Sequence, residues 1–326
     1  MLLAGDIGGT RARLTLLGPD GKARRHEVFE SRAFPSLEAV LQRFLGKPAP
    51  RVTAAAFGVA GPVVGGRCVA TNLPWVIDAK RIARRLGIAR VTLLNDLVAL
   101  ALGALDVPRS KLRVLGEAGA PKKRGGNVAV IAAGTGLGEA MLVWDDVSGR
   151  FVPSATEGGH ADFAPADELQ GELLAFLRRR NDHVSWERLV SGMGLGNLYD
   201  FFREGRGIAE STDSARALDA ASDRNAAIAQ LADAGTSEPA RHAVELFTRL
   251  YGAEAGNLAL KTLAVGGVYV CGNIAAKMLP RLEMGGFRQA FEDKGRFRSL
   301  LAKVPLAVVL DTDVGLAGAK RVALGR

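Results

Sequence analysis

The chain has 326 residues, 48% hydrophobic and 24% charged, which suits two ordinary globular domains with sizeable buried cores. Its apolar runs are too short for a bilayer span and no signal-peptide pattern opens it. With Cys68 and Cys271 as the only cysteines, a disulfide framework and a four-cysteine zinc site are excluded, so a reducing cytoplasm is the expected location, with no membrane partner. The net charge of +9 raises the question of nucleic acid, but the basic groups Arg81 to Arg85, Lys122-Lys123-Arg124 and Arg178-Arg179-Arg180 lack interleaved aromatics, so no nucleic-acid partner is expected, whereas an anionic nucleotide would be attracted.

The first element is an apolar strand, Leu2-Leu3-Ala4, that runs into Gly5, Asp6, Ile7, Gly8, Gly9 and Thr10 before a second strand, Arg13–Leu17. Adjacent glycines at a bend allow close approach of a ligand and φ > 0. Successive amides there form an anion nest. Thr10 adds a hydroxyl, and Asp6 puts a carboxylate where Mg²⁺ could sit, directly or through water. Read alone, the stretch is equally a plain hairpin with a glycine turn.

A turn at Gly18–Gly21 leads to a strand near Ala23–Phe29, and Ser36 caps a helix opening at Leu37. Val52–Val59 reads as a buried strand, Asp78 as the cap of an Arg-rich helix ending at Leu86, Val91–Leu94 as a strand and Leu97–Leu105 as a helix. Pro121–Gly126 reads as a mobile loop. Asn127–Ala132 then repeats the opening pattern: strand, Gly134-Thr135-Gly136-Leu137-Gly138, and a further strand, Ala140–Trp144. Neither turn fits a P-loop or a G-x-G-x-x-G fingerprint, since Lys47 is followed by Pro48 and the second turn enters a strand. Two such hairpins suggest two related lobes, each offering a Gly/Thr loop to one polyphosphate. Helices are expected at 166–179, 186–204, 213–233 and 239–263, a strand at Gly267–Cys271, a helix at Ile274–Leu282, a strand at Leu306–Leu310 and a helix at Val314–Ala323. Strands alternating with helices argue for α/β architecture with mostly parallel sheets.

Three places could carry chemistry. Asn95-Asp96 stands where a strand ends and a helix begins, the position at which α/β sheets bind ligands, so Asp96 is a candidate base. Asp and Asn are equally favoured helix caps. Glu157-Gly158-Gly159-His160 lets a carboxylate and an imidazole converge from a turn to hold hydroxyl groups, or it is an ordinary polar loop. With four histidines in the chain a metal pair there lacks further ligands. Glu187, in the first turn after the cap Ser185, either complements the helix dipole or reaches a ligand.

Together with Gly58–Val63, Thr71–Trp75, Leu93–Ala99, Ala133–Gly138, Glu157–Pro165, His183–Gly192, Gly256–Leu260, Gly266–Asn273 and Phe291–Phe297, the Gly5–Thr10 stretch makes the chain resemble the bacterial glucokinase family of the actin/hexokinase-like ATPase superfamily. The resemblance implies a two-lobed α/β fold of ribonuclease H-like type: a small lobe of residues 1–110 with a C-terminal helix, 312–326, packed back on it, and a large lobe of 111–311 carrying a helical insertion. It implies ATP-dependent phosphorylation of glucose with Mg²⁺. Asp96 matches the family's base, Asn95 its sugar-binding neighbour, and Glu157, His160 and Glu187 the other sugar ligands. Gly5–Thr10 and Gly134–Gly136 match the phosphate loops, Gly266–Asn273 the adenosine side, and a homodimer is implied. Asn273 departs from the family's usual second glycine; Asn tolerates φ > 0, so the turn is expected to survive. The cysteine-rich zinc motif of the related repressor/kinase group is absent. The rival readings are a kinase of mannose or fructose, a non-catalytic sugar sensor and a filament-forming actin relative.

Overall fold

Two sheets built on one plan frame the structure, a computed structural model that describes residues 1–122 and 124–325. Lys123 of the basic loop and Arg326 at the end of the expected C-terminal helix lie outside the described residues. The first sheet has the order β3 (Ala23–Glu30), β2 (Arg11–Leu17), β1 (Leu2–Ile7), β4 (Ala54–Val59), β8 (Arg90–Asn95). A small three-stranded sheet of β5 (Val63–Val64), β6 (Arg67–Val69) and β7 (Val76–Asp78) lies between β4 and β8 in sequence. The second large sheet runs β12 (Arg150–Thr156), β11 (Leu137–Asp145), β10 (Val128–Ala133), β13 (Gly267–Cys271), β14 (Leu306–Val309), β9 (Leu112–Val114). In both, an antiparallel three-stranded meander is followed by two parallel strands, β1–β4–β8 in one and β10–β13–β14 in the other. The repeat seen in the two glycine hairpins is therefore a repeat of whole sheets.

The helices form where caps and apolar spacing coincide. Ser36 accepts the Ala39 N–H at 3.3 Å to start α1 (Leu37–Leu45), and Asp78 accepts the Arg81 N–H at 2.9 Å to start α2 (Ala79–Leu86), which ends on left-handed Gly87. Then come α3 (Asp96–Ala104), α4 (Glu168–Arg178), α5 (Gly192–Asp200), α6 (Thr212–Ala220), α7 (Arg224–Ala234) and the long α8 (Glu238–Thr262). Short helices α9 (Asn273–Lys277), α10 (Leu279–Glu283), α11 (Gly286–Glu292) and α12 (Arg298–Leu301) precede α13 (Val314–Ala323).

Three expected helices are broken. The 186–204 segment is a 3-10 turn at Trp186–Arg188, then α5, then a π turn at Phe201–Gly205. Ser191 is extended at φ −159° so that its hydroxyl can accept the Gly194 N–H, which ends one helix and starts the next. The 213–233 segment splits because Asp223, at φ −125°, caps α7. The 274–282 segment splits at Met278, beyond which Pro280 lacks an amide to donate. The Pro121–Gly126 loop is anchored at its start, where the Lys122 N–H donates to the Gly266 carbonyl at 2.7 Å.

Separate cores fill the two sheets, one around Leu14, Phe57 and Trp75 and one around Tyr199, Phe247 and Tyr251. A third joins Val98 and Leu102 of α3 to Val130, Leu142 and Tyr269 of the second sheet. Helix α3 also lies against α13 at backbone contact. A Cβ on Gly103 would stand 1.9 Å from the Val314 carbonyl oxygen, and one on Gly318 would stand 1.7 Å from that of Ala99. Both α3 and α13 also reach β4, so this pair ties the sheets together. Gly103→Ala should therefore force the helices apart and cost about 1–3 kcal/mol of stability. Urea denaturation of the two proteins measures it; an unchanged midpoint would show that the contact yields freely.

Candidate functional site

Strand β8 ends at Asn95, and the cap that starts α3 is Asn95 rather than Asp96. The Asn95 Oδ1 accepts from the Leu97 and Val98 N–H groups at 3.0 and 3.3 Å, and its Nδ2 donates to the Gly61 carbonyl at 3.2 Å. Capping is thus done by the preceding residue. Asp96, the first helical residue, accepts one N–H, from Leu97 at 3.0 Å, and lines a cavity. Burial pushes its carboxyl up to about 6; the Leu97 N–H opposes that, and the Asp6 and Glu157 carboxylates add to it.

The Glu157–His160 turn is zipped to the segment carrying Glu187. The Phe163 N–H donates to the Val184 carbonyl, the Trp186 N–H to that of Ala161, and His183 pairs with Asp162 at 2.7 Å. This brings the His160 Nδ1 within 4.0 Å of the Glu187 Oε1. The other oxygen, Oε2, accepts the Leu137 N–H at 3.0 Å. A Cβ on Gly136 would lie 2.3 Å from that oxygen, so the glycine makes room for the carboxylate. Asn95, Asp96, Glu157, His160 and Glu187 all line one cavity of about 330 Å³, with Thr135 and Gly136 at its edge.

Two further cavities share lining residues with it. Asp96 also lines one of about 250 Å³ together with Asp6, Gly272 and Asn273. Thr135 and Asn273 are shared with one of about 530 Å³, lined also by Gly134, Asn225 and Lys277. Space around Gly134 is open, whereas its carbonyl is fixed by the Gly192 N–H at 2.9 Å. Asn273 is not the positive-φ residue that its place in the motif suggested. Gly272 takes φ 92°, where a Cβ would meet the Ala133 carbonyl, and Asn273 starts α9.

The first hairpin differs from expectation in two respects. Gly8 and Gly9 are not left-handed; Gly9 is needed because Asn72 packs 2.7 Å from where a Cβ would be. Gly5 and Ile7 lie buried within β1, where Gly5 leaves room for Phe57 and Leu14. Ser31, which the sequence did not single out, ties the turn down: its Oγ donates to the Gly8 carbonyl at 2.8 Å and its N–H to that of Thr10 at 2.9 Å. Arg13 was also missed, although the hairpin register sets it opposite Asp6. Its guanidinium donates to the Asp6 Oδ2 at 3.1 Å and lies 3.8 Å from Asp313. Burial raises the Asp6 carboxyl above its usual range, and Arg13 opposes that rise.

Residues 3–325 match the family model described as Glucokinase. The chain belongs to the glucokinase family. The glucokinase of Synechocystis sp. is 42% identical to it, covering 97% of this chain and 96% of that protein. That of Yersinia pestis is 36% identical, over 97% of this chain and 94% of its own. The crystal structure of a glucokinase from an Antarctic psychrotroph superposes with a TM-score of 0.83 at 28% identity, covering 99% of this chain and 98% of that one. A ROK-family glucokinase from Streptomyces griseus, solved with glucose and AMPPNP, shares the fold at a TM-score of 0.65 and 20% identity, over 100% and 99% of the two chains. The fold is the two-lobed actin/hexokinase-like one that the motifs implied.

If Asn95 is the cap, Asn95→Ala should cost about 0.5–2 kcal/mol of stability, while Asp96→Asn should cost none. Chemical denaturation of both variants checks this; equal losses would return the capping role to Asp96.

Proposed function

We propose that the chain transfers the γ-phosphoryl group of ATP to the 6-hydroxyl of glucose, with Asp96 as general base. What carries the reading is the meeting of the three cavities at shared residues. Asp96 belongs to both the 330 Å³ and the 250 Å³ chambers, and Asn273 to both the 250 Å³ and the 530 Å³ chambers. A hexose held by Asn95, Glu157, His160 and Glu187 would put a hydroxyl beside Asp96. The nucleoside would fill the largest chamber near Asn225 and Lys277, and its phosphates would run past Gly134, Thr135 and Gly136 toward Asp6 and the Gly8–Thr10 turn.

Phosphoryl transfer requires alignment and charge neutralisation more than covalent help. Among the described residues no set of three acidic, histidine or cysteine side chains could hold a metal alone. Arg13 occupies the Oδ2 of Asp6, which fits that carboxylate to a shared or water-mediated role. Mg²⁺ bound with the nucleotide would be held there and would supply neutralisation of the phosphate charge. Asp96 accepts the hydroxyl proton as the new bond to phosphorus forms. The unionised fraction of Asp96 is inactive, and its burial sets where that fraction begins.

Closure of residues 1–110 and helix α13 onto 111–311 would exclude water, which otherwise attacks ATP. Hydroxyl-specific contacts penalise sugars lacking a matching group, which favours glucose over other hexoses. A homodimer in the cytoplasm completes the proposal.

An ADP-release assay over pH tests the base. The kcat/KM for glucose should fall about tenfold per pH unit below about 6 and be level from there to about pH 7. Asp96→Asn should lose about 10²–10⁴-fold in kcat with the glucose Kd little changed. An acid limb in the ordinary carboxylate range near 4, or wild-type turnover by the variant, would remove Asp96 from that role.

A further inference from the structure

Behind the Glu157–His160 turn lies a pair of buried acids that the reaction as described does not use. Glu139 on β11 and Glu254 on α8 are 1% and 0% exposed. The two carboxyl groups act on each other, the Glu254 charge raising Glu139. Among the described residues, the Oε1 atoms of both lack a hydrogen-bond donor. Around them, Asn257 donates to the Glu254 Oε2 at 2.8 Å and the Lys261 ammonium stands 3.5 Å from the Glu254 Oε1. Two carboxylates against one ammonium leave an excess negative charge away from water, which is costly. One proton held between them removes the excess charge and supplies the missing donor.

The pair also touches the turn. A Cβ on Gly158 would lie 2.0 Å from the Glu139 Oε2, and one on Gly159 would lie 2.1 Å from the Leu137 carbonyl oxygen. The two glycines are therefore seated on β11, one on its backbone and one on the Glu139 carboxyl group. The Gly158 N–H is held separately by the Thr156 Oγ at 2.8 Å. Glu157 and His160 flank the seated glycines and line the sugar cavity.

We propose that Glu139 is a positioning residue for the sugar site: its carboxyl group, sharing one proton with Glu254, is the seat of Gly158, and loss of that proton unseats Glu157 and His160. The inference rests on the reading of that cavity as the hexose site. Burial first, then the Glu254 charge, pushes the Glu139 carboxyl up to about 8, with Lys261 opposing. Glu254 is raised as well, again chiefly by burial. The other ionisable groups near the pair are Tyr251, whose hydroxyl is raised by burial and bonded to the Cys271 carbonyl, and Lys294 beyond α11, whose ammonium burial lowers. The Lys294 ammonium faces Glu254, so both cations near the pair, Lys261 and Lys294, stand on the Glu254 side.

Glucose KM, ATP KM and kcat measured between pH 7 and pH 9 test it. In the wild type, glucose KM should rise about tenfold over that range while ATP KM and kcat change little. Glu139→Gln keeps a neutral donor, so it should hold the pH 7 glucose KM and abolish the rise; its melting temperature should be no lower than wild type. Glu139→Ala should raise glucose KM at every pH. A rise in Glu139→Gln parallel to the wild type, or a flat wild-type profile, overturns the inference. Glu157→Gln separates the two levels. If it leaves glucose KM unchanged, the sugar site itself is misplaced. If it raises KM while Glu139→Gln retains the alkaline rise, only the role of Glu139 fails.

Discussion

Helix α3 is the constraint on which the site depends. It grows out of β8, packs its apolar face on the second sheet through Val98 and Leu102, and lies at backbone distance from α13 through Gly103 and Gly318. One rigid element thus belongs to both halves. Its first turn looks into the cleft, and that turn carries Asp96. Asn95 fixes the helix start with two hydrogen bonds and braces it on Gly61 with a third. The proposed base is placed by a cap, a strand end and two glycines.

Electrostatics in the cleft follows from that placement. Asp96 and Asp6 face the same small cavity, and the Asp6 charge adds to the cost of ionising Asp96. Arg13 relieves Asp6 and leaves Asp96 without a cation. The asymmetry fits the roles proposed for them: a paired carboxylate on the phosphate side, and one without a cation partner among the described residues whose proton affinity is raised toward that of a useful base. Glu187 links the Glu157–His160 turn to the second glycine turn directly, since one oxygen faces His160 and the other accepts the Leu137 N–H.

Much of this was legible in the residues. The repeated strand–glycine turn–strand pattern anticipated two sheets of one topology, and the five residues chosen for the catalytic and sugar roles line one cavity. What escaped has physical causes. Glycine composition signals close approach without saying what approaches; at Gly9 it is Asn72, at Gly136 the Glu187 carboxylate, at Gly158 that of Glu139. Helical periodicity through 186–204 could not register that Ser191 would turn extended to cap α5. Ser31 acts across the fold on Gly8 and Thr10, a contact with no local signature. Arg13 alone could have been found, because the four residues between the paired Ile7 and Ala12 set it opposite Asp6.

The central claim is geometric: a sugar hydroxyl, the Asp96 carboxylate and the end of the nucleotide's phosphate chain meet where the cavities join. A crystal structure with glucose and a non-hydrolysable ATP analogue bound together measures it most directly. The account expects an Asp96 carboxylate oxygen about 2.6–3.2 Å from the sugar's 6-oxygen, with the γ-phosphate on that oxygen's far side. A complex in which the Asp96 carboxylate turns away from the sugar, or in which the phosphates leave the cleft without passing Gly134 and Asp6, would contradict it.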